Sequence, residues 1–315
     1  MAAGPRAPMV SWERDLARFA LYTTVHPGSV PFLQAWHRSV RAQADQSFDL
    51  WIGLDSLEPR EVMRILGVDP NATWVNAPPG ASPTKLRSVA IERIVEQYDA
   101  AIFSDSDDLL EPGRVGQARE ALGASDVAAC AMRLIDDRGM DLQQSFRWPT
   151  QKNWNGLARA NAFGLGNSAY RSETLKQCLP IPRDCVMEDW FLATRCWARR
   201  VRMRFDGFCG VAYRQHRLNM TSVRPPFDEK QLVRAVRDVQ HHYHIVLNSI
   251  PDLEAGARCL LEEARANTQR FSAAVMSDTA TRRRYLSELN RLPANHVWFD
   301  CVAHPSLTYL WKHEQ

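Results

Sequence analysis

The chain of 315 residues carries 39 Lys and Arg against 36 Asp and Glu, a formal net charge of +3, and is 45% apolar and 24% charged. These values suit one large α/β domain, alone or with a helical appendage, and they lack the basic stripe that nucleic acid requires. There is no run of about 18 apolar residues to span a membrane, and the N-terminal stretch with Arg6, Glu13, Arg14 and Asp15 does not read as a secretory signal.

Seven cysteines (Cys130, Cys178, Cys185, Cys196, Cys209, Cys259 and Cys301) form an odd set without C-x-x-C spacing. They read as reduced thiols and predict a cytoplasmic setting. Residues 1–15, with their Pro and Ala, are expected to be loose. Phe19 to Val25 predicts the first strand, followed by a loop from His26 to Ser29. A helix then places Phe32, Trp36 and Val40 on one face. Phe48 to Leu54 is the second strand and ends at Asp55-Ser56. A short helix runs from Glu58 to Leu66 with Pro59 at an early position. Thr73 to Val75 is a third strand, and a Pro-rich loop over 77–83 leads into a helix that bears Lys85 and Arg87 and ends near Gln97. The alternation β-α-β-α-β-α-β predicts a mostly parallel sheet with right-handed crossovers.

The fourth strand, Ala100 to Phe103, stops at a serine and three acids, Asp105, Asp107 and Asp108. Ligands of such sheets gather beyond the carboxyl ends of the strands. In extended chain Asp105 and Asp107 face one side, toward one cation or one ribose–diphosphate. Mg²⁺ is commonly held by one or two carboxylates plus substrate phosphates. The alternative is a solvated acidic turn.

An amphipathic helix from Arg114 to Leu122, a strand from Asp126 to Leu134 and an irregular stretch over 136–160 with Trp148 and Trp154 come next. A Gly-rich segment, Ala162 to Ala169, precedes a helix at Ser172. Glu188 and Asp189 open a helix that reaches Arg200, and Val201 to Phe208 is a strand. Beyond Pro226 the pattern turns helical: Leu232, Val236, Val239, Tyr243 and Val246 share a face. Further helices span 253–276 and 281–292. The expected division is 1–225 for an α/β unit and 226–315 for a C-terminal helical extension.

Three segments together resemble a GT-A glycosyltransferase of family 2 type, over about residues 18–222. They are Arg87 to Asp108 followed by Leu109-Leu110-Glu111-Pro112, then Glu188-Asp189-Trp190, then Tyr213-Arg214-Gln215-His216 with Asn219 and Thr221. Two turns depart from the family pattern. The first strand ends Thr24-Val25-His26-Pro27, where a Pro-x-Tyr-Asn-like turn is usual. The second ends Leu54-Asp55-Ser56, where two acids, a glycine and a serine are usual.

The resemblance implies a GT-A (Rossmann-like) fold and a metal-dependent, inverting transfer of a sugar from a nucleoside-diphosphate donor to an acceptor hydroxyl. The donor would be a UDP-, GDP- or TDP-sugar, and the acceptor a glycan, a lipid-linked molecule or a small molecule. Mn²⁺ or Mg²⁺ would stabilise the leaving diphosphate as a Lewis acid. Asp107 is assigned as direct metal ligand, Asp105 to the ribose or the metal shell, and His216 to the metal or diphosphate. Asp108 either orients the metal shell or sugar or caps a helix. Asp189 is assigned as general base, with Glu188 at acceptor or donor sugar; the alternative for both is capping by acids in a first turn.

Asp55 faces base or ribose, unless it merely forms an Asp-Ser turn. Arg87, and more weakly Lys85, face base or diphosphate, the alternative being a solvated helix face. Arg214 and Arg217 are weaker phosphate candidates. Trp148 and Trp154 lie where acceptor loops sit in this fold, against plain packing as the alternative. Gly164, Gly166 and Asn167 allow close backbone approach. His241, His242 and His244 are rejected as a metal cluster because neighbours on a helix do not share a face. A nucleotidyltransferase would carry a Gly-rich basic loop that His26 to Pro31 lacks. An inactive scaffold would be expected to have lost one of the acid sets, and both are present.

Overall fold

A computed structural model describes residues 16–78, 80–148, 154–217, 219, 221, 223–250, 253–293 and 297–312. The expectation for residues 1–15, and the Pro79 part of the Pro-rich loop, lie outside the described residues. The apolar runs become strands β1 (Phe19–Val25), β2 (Asp49–Leu54), β3 (Ala72–Asn76) and β4 (Ala100–Phe103). They are linked by helices α1 (Leu33–Arg41), α2 (Pro59–Leu66) and α3 (Pro83–Ile94). The four strands pair in parallel in the order β3-β2-β1-β4. β1 and β4 are buried throughout, as strands covered on both faces must be. Pro59 starts α2 and Gly67, with φ of 73°, closes it in the left-handed conformation. The Ser82 side chain accepts the Lys85 amide and starts α3.

The second half of the sheet is mixed. β5 (Leu109–Leu110), α4 (Arg114–Ala124), β6 (Val127–Ile135), β7 (Asp141–Phe146) and β8 (Ser168–Arg171) are followed by α5 (Ser172–Cys178), α6 (Glu188–Ala198) and β9 (Met203–Arg214). The sheet continues β4-β8-β6-β9-β5, with β7 on β6. β6 and β9 run with the first four strands, while β5, β7 and β8 run against them. The mostly parallel sheet is therefore as expected, but β7 occupies part of a stretch read as irregular. β9 also runs six residues past its predicted end, beyond a register shift opposite Cys130 and Ala131.

Phe32 does not join the buried face of α1. It ends a 3₁₀ turn, and Leu33 takes the core position with Trp36, His37 and Val40. The C-terminal layer consists of α7 (Glu229–Ser249), α8 (Ala255–Phe271) continued by one π-helical turn, and α9 (Thr279–Leu289). Asp228 and Gln231 form a reciprocal capping box at the start of α7. Trp190 of α6 is stacked between His242 of α7, at 4.0 Å, and Phe299, at 5.3 Å. One continuous apolar core thus runs from Phe19 to Trp311.

Candidate active site

The carboxyl ends of β1, β2 and β4 open toward the loop before α6, and the predicted acids converge there. The chain after β4 is not extended: Asp105 precedes a turn that carries Asp107, and the Asp108 amide bonds back to the Asp105 carbonyl at 3.3 Å. The expected strand alternation therefore fails, and the turn itself brings the acids together. Asp107 Oδ2 lies 2.9 Å from His216 Nε2. Asp108 caps no helix, since α4 is preceded by Gly113. Its Oδ1 accepts the Arg214 amide at 2.7 Å, and its Oδ2 is buried without a hydrogen-bond partner. Gly166 lies against them, and a side chain there would displace the Asp105 carboxylate.

Burial and the charge of Asp107 push the Asp105 carboxyl up to about 6. The same causes, with Asp105 added, raise Asp108 well above the carboxylate range. Such a cluster is short of positive charge. Arg214 supplies part of it, with Nε on the Asp107 carbonyl at 2.7 Å and its guanidinium 4.8 Å from the Phe32 ring centroid. Phe32 also packs on the His216 ring, at 4.8 Å. Asn219 ties the turn by accepting the His216 amide and donating to the Arg214 carbonyl.

Among the described residues no group of three or more His, Cys, Asp or Glu side chains is arranged to hold a metal ion by itself. The donor set nonetheless fits an open site. Asp107 and His216 adjoin one another, a cation there would offset the burial and mutual repulsion that raise the neighbouring carboxyls, and phosphate oxygens of a ligand would supply the remaining positions. A mixed carboxylate and imidazole set suits Mn²⁺ better than Mg²⁺.

Arg87 pairs with Glu188 rather than lying on a solvated face. The other Glu188 oxygen accepts the Thr84 hydroxyl at 3.1 Å, so α3 and α6 are joined through this carboxylate. Arg87 is held charged by Glu188 and Asp105. Asp189 accepts its neighbour Trp190's amide at 2.7 Å and the Asn161 side-chain amide at 2.9 Å. Burial, then the Glu188 charge, lift it to about 7.

Asp55 borders a pocket of about 460 Å³ beyond β2 and β3, with Asn76, Pro78 and Ser82 among its other walls. Ser56, at φ of 60°, donates to Asp55 Oδ1, so the Asp-Ser turn does form. His26, not singled out in the sequence, lies between the two sites. Burial lowers its pKa, and the charges acting on it are those of Asp107, Arg87, Asp55 and His216. No local motif marks it; only the fold brings these groups around the β1 end.

Lys85 is exposed in the first turn of α3. Trp148 and Trp154 stack on one another at 6.3 Å, and Trp154 meets Phe163 edge-on at 5.3 Å. Asn167 serves the backbone, donating to the Cys130 and Ala162 carbonyls. His241, His242 and His244 turn to Asp184, Trp190 and Asn248 respectively.

No family model matches the chain, and no curated protein matches it in sequence. Solved structures do match. S. aureus TarS 1-349 is similar with a TM-score of 0.58 at 15% identity, over 86% of this chain and 79% of that one. Its complex with UDP-GlcNAc matches with a TM-score of 0.53 at 14% identity, over 93% and 91% of the two chains. The mannosyltransferase PcManGT of Pyrobaculum calidifontis, in complex with GDP-Man and Mn²⁺, matches with a TM-score of 0.52 at 13% identity, over 99% and 92%. The chain has the GT-A fold. No described helix is long and apolar enough to cross a membrane.

Proposed function

We propose that this protein is a metal-dependent glycosyltransferase that moves a sugar from a nucleoside-diphosphate sugar to an acceptor hydroxyl, with inversion. One observation carries the proposal: two carboxylate sets, Asp105-Asp107-Asp108 and Glu188-Asp189, face the same strand ends on a GT-A sheet, joined electrostatically through Arg87. The neighbours that hold UDP-GlcNAc, and GDP-Man with Mn²⁺, support the reading.

In this proposal the base of the nucleotide occupies the pocket at Asp55, with Asp55 accepting a hydrogen bond from base or ribose. Asp105 lies toward the ribose or the metal shell, and Asp107 and His216 would hold the metal. A bound Mn²⁺ or Mg²⁺ supplies Lewis-acid stabilisation of the charge that develops on the leaving diphosphate. Arg87 adds fixed positive charge on the donor side and locks Glu188 beside the sugar. Asp189 takes the proton of the acceptor hydroxyl at its carboxylate. A base near 7 suits this step, being about half ionised at neutral pH and basic enough to accept. A single base without a separate nucleophile gives one displacement, hence inversion.

The test is thermal stability against UDP, GDP, TDP and CDP, each with and without Mn²⁺. A ligand that binds only the folded state stabilises it by about 2.7 kcal/mol at a hundredfold excess over Kd. A Mn²⁺-dependent rise with one nucleotide, lost in Asp107→Ala, is expected. The corresponding sugar nucleotide should then release nucleoside diphosphate in the presence of acceptor. Release of pyrophosphate from a nucleoside triphosphate and a sugar phosphate would instead mark a nucleotidyltransferase, and no response to any nucleotide would mark an inactive scaffold.

A further inference from the structure

Asn161 lies outside every motif of the sequence, yet it is fully buried and each kind of polar atom it has is engaged. Its side-chain carbonyl accepts the Phe163 amide at 2.9 Å. That bond fixes the amide group the right way round, so the Nδ2 that reaches Asp189 Oδ2 at 2.9 Å is a donor. Its backbone is paired on both sides with Trp298 of the C-terminal segment, amide to carbonyl at 3.2 Å and carbonyl to amide at 3.3 Å.

Trp298 is itself held. A Cβ at Gly164 would meet its ring at 2.5 Å, so the glycine is what lets the ring lie there. Phe146 packs on it at 4.2 Å, and its Nε1 points to the Tyr213 hydroxyl at 3.4 Å. The loop that carries Asn161 is tied to the C-terminal layer again by Arg159 to Asp300, at 2.7 Å, and by the Tyr243 hydroxyl to the Ala158 carbonyl, at 2.9 Å.

We propose that Asn161 is a positioning residue for the Asp189 carboxylate, and that the C-terminal segment at Trp298 is the clamp that holds Asn161 in register. This rests on the reading of Asp189 as the base. A carboxylate on a helix start can swing about its own side-chain torsions. A donor fixed from across the cleft holds one oxygen and leaves the other lone pairs for the acceptor proton. The same bond favours the ionised form. The C-terminal layer is thereby part of the catalytic unit.

The other charged and titratable groups that act on Asp189 are Glu188 on its own helix, Asp105 after β4, Arg87 on α3, Tyr170 on β8 and Cys185 before α6. None of them hydrogen-bonds to Asp189 among the described contacts, so the Asn161 bond can be removed without touching them.

The experiment is a carboxyl ¹³C titration of the full chain labelled at aspartate, with Asp189 assigned by its loss in Asp189→Asn. In Asn161→Ala the Asp189 midpoint is expected to rise by about one pH unit, the scale of a hydrogen bond to a charged group. Trp298→Ala is expected to move it the same way by less, and Trp298→Phe to restore part of the change. With the sugar nucleotide found above, the acid limb of kcat should shift upward with the midpoint while the donor KM stays within about twofold.

A folded Asn161→Ala protein with an unmoved Asp189 midpoint overturns the positioning role. A moved midpoint there, but none in Trp298→Ala, overturns the clamp. Should Asn161→Ala not fold, Asn161→Asp keeps the bond to the Phe163 amide and is expected to raise the higher of the two carboxyl midpoints further; no rise overturns the proposal. The titration needs neither nucleotide nor acceptor. An unmoved midpoint with the nucleotide response intact therefore counts against the positioning role alone, whereas a moved midpoint with no nucleotide response overturns the transfer reading and the catalytic meaning of the bond.

Discussion

Asp189 and Glu188 are neighbours in sequence with opposite environments. Glu188 is nearly fully buried, but a guanidinium and a hydroxyl meet both its oxygens. Asp189 has only amide donors and bears the Glu188 charge at close range, so its proton is held up to about 7. Below that value most Asp189 is protonated and cannot accept a proton from the acceptor. The transfer rate is therefore expected to rise with pH through about 7 and level off above it. Asp189→Asn should keep the nucleotide-induced stabilisation and lower kcat by about 10²–10⁴-fold, the range of general-base catalysis. Steady-state rates over pH 5.5–9 check both points; a flat profile or an active Asp189→Asn protein would remove Asp189 from the mechanism. The acids after β4 were legible because a buried apolar strand ending in carboxylates is a local pattern, whereas Glu188 and Asp189, opening a helix, were picked out only through the resemblance. Asn161, His26 and Trp298 were not legible. Each gains its meaning from a partner far away in the chain, Asn161 from Asp189 and Trp298, His26 from Asp107 and His216.

At the scale of elements, β1, β2 and β4 were readable because they are covered on both sides and need continuous apolar sequence, and the half-buried edge strand β3 because its short β-forming run lies between turn signals. β7 was not, since its sequence DLQQSF is mostly polar and exposed and it survives by pairing on β6. β9 was cut short because its register shift falls near the exposed Gly207 and Phe208, where the alternation breaks. The glycines between β7 and β8 separate two kinds of close approach. At Gly166 an added methyl meets the end of the Asp105 side chain, which can turn away. Gly166→Ala is thus expected to leave the melting temperature nearly unchanged and to weaken the Mn²⁺-dependent nucleotide shift. At Gly164 the methyl meets the rigid Trp298 ring, and overpacking there should cost about 1–3 kcal/mol. Melting curves of the two variants, with and without nucleotide and Mn²⁺, distinguish these outcomes; equal destabilisation would mean that Asp105 is as immobile as the ring.

At the scale of the whole molecule, the sheet and the helices α7, α8 and α9 share one apolar core. Trp190, on the helix that bears Asp189, is fully buried between a ring of α7 and a ring of the C-terminal segment, and its indole N–H is taken by the Leu157 carbonyl at 2.7 Å. Burying a neutral imidazole against an indole face costs His242 its charge; its pKa falls to about 3, so the stack persists at any pH near neutrality. Residues joined this way should open together. In native-state hydrogen exchange the slowest amides of α7 are expected to share one opening free energy with those of β1 and β4. Trp190→Ala should lower that common value by about 3–5 kcal/mol, the cost of a large aromatic removed from a core. If α7 opened at a much lower free energy while β1 and β4 stayed protected and the nucleotide response persisted, residues 226–315 would be a separate domain. The site would then not depend on the C-terminal layer, and the clamp on Asn161 would lose its physical basis.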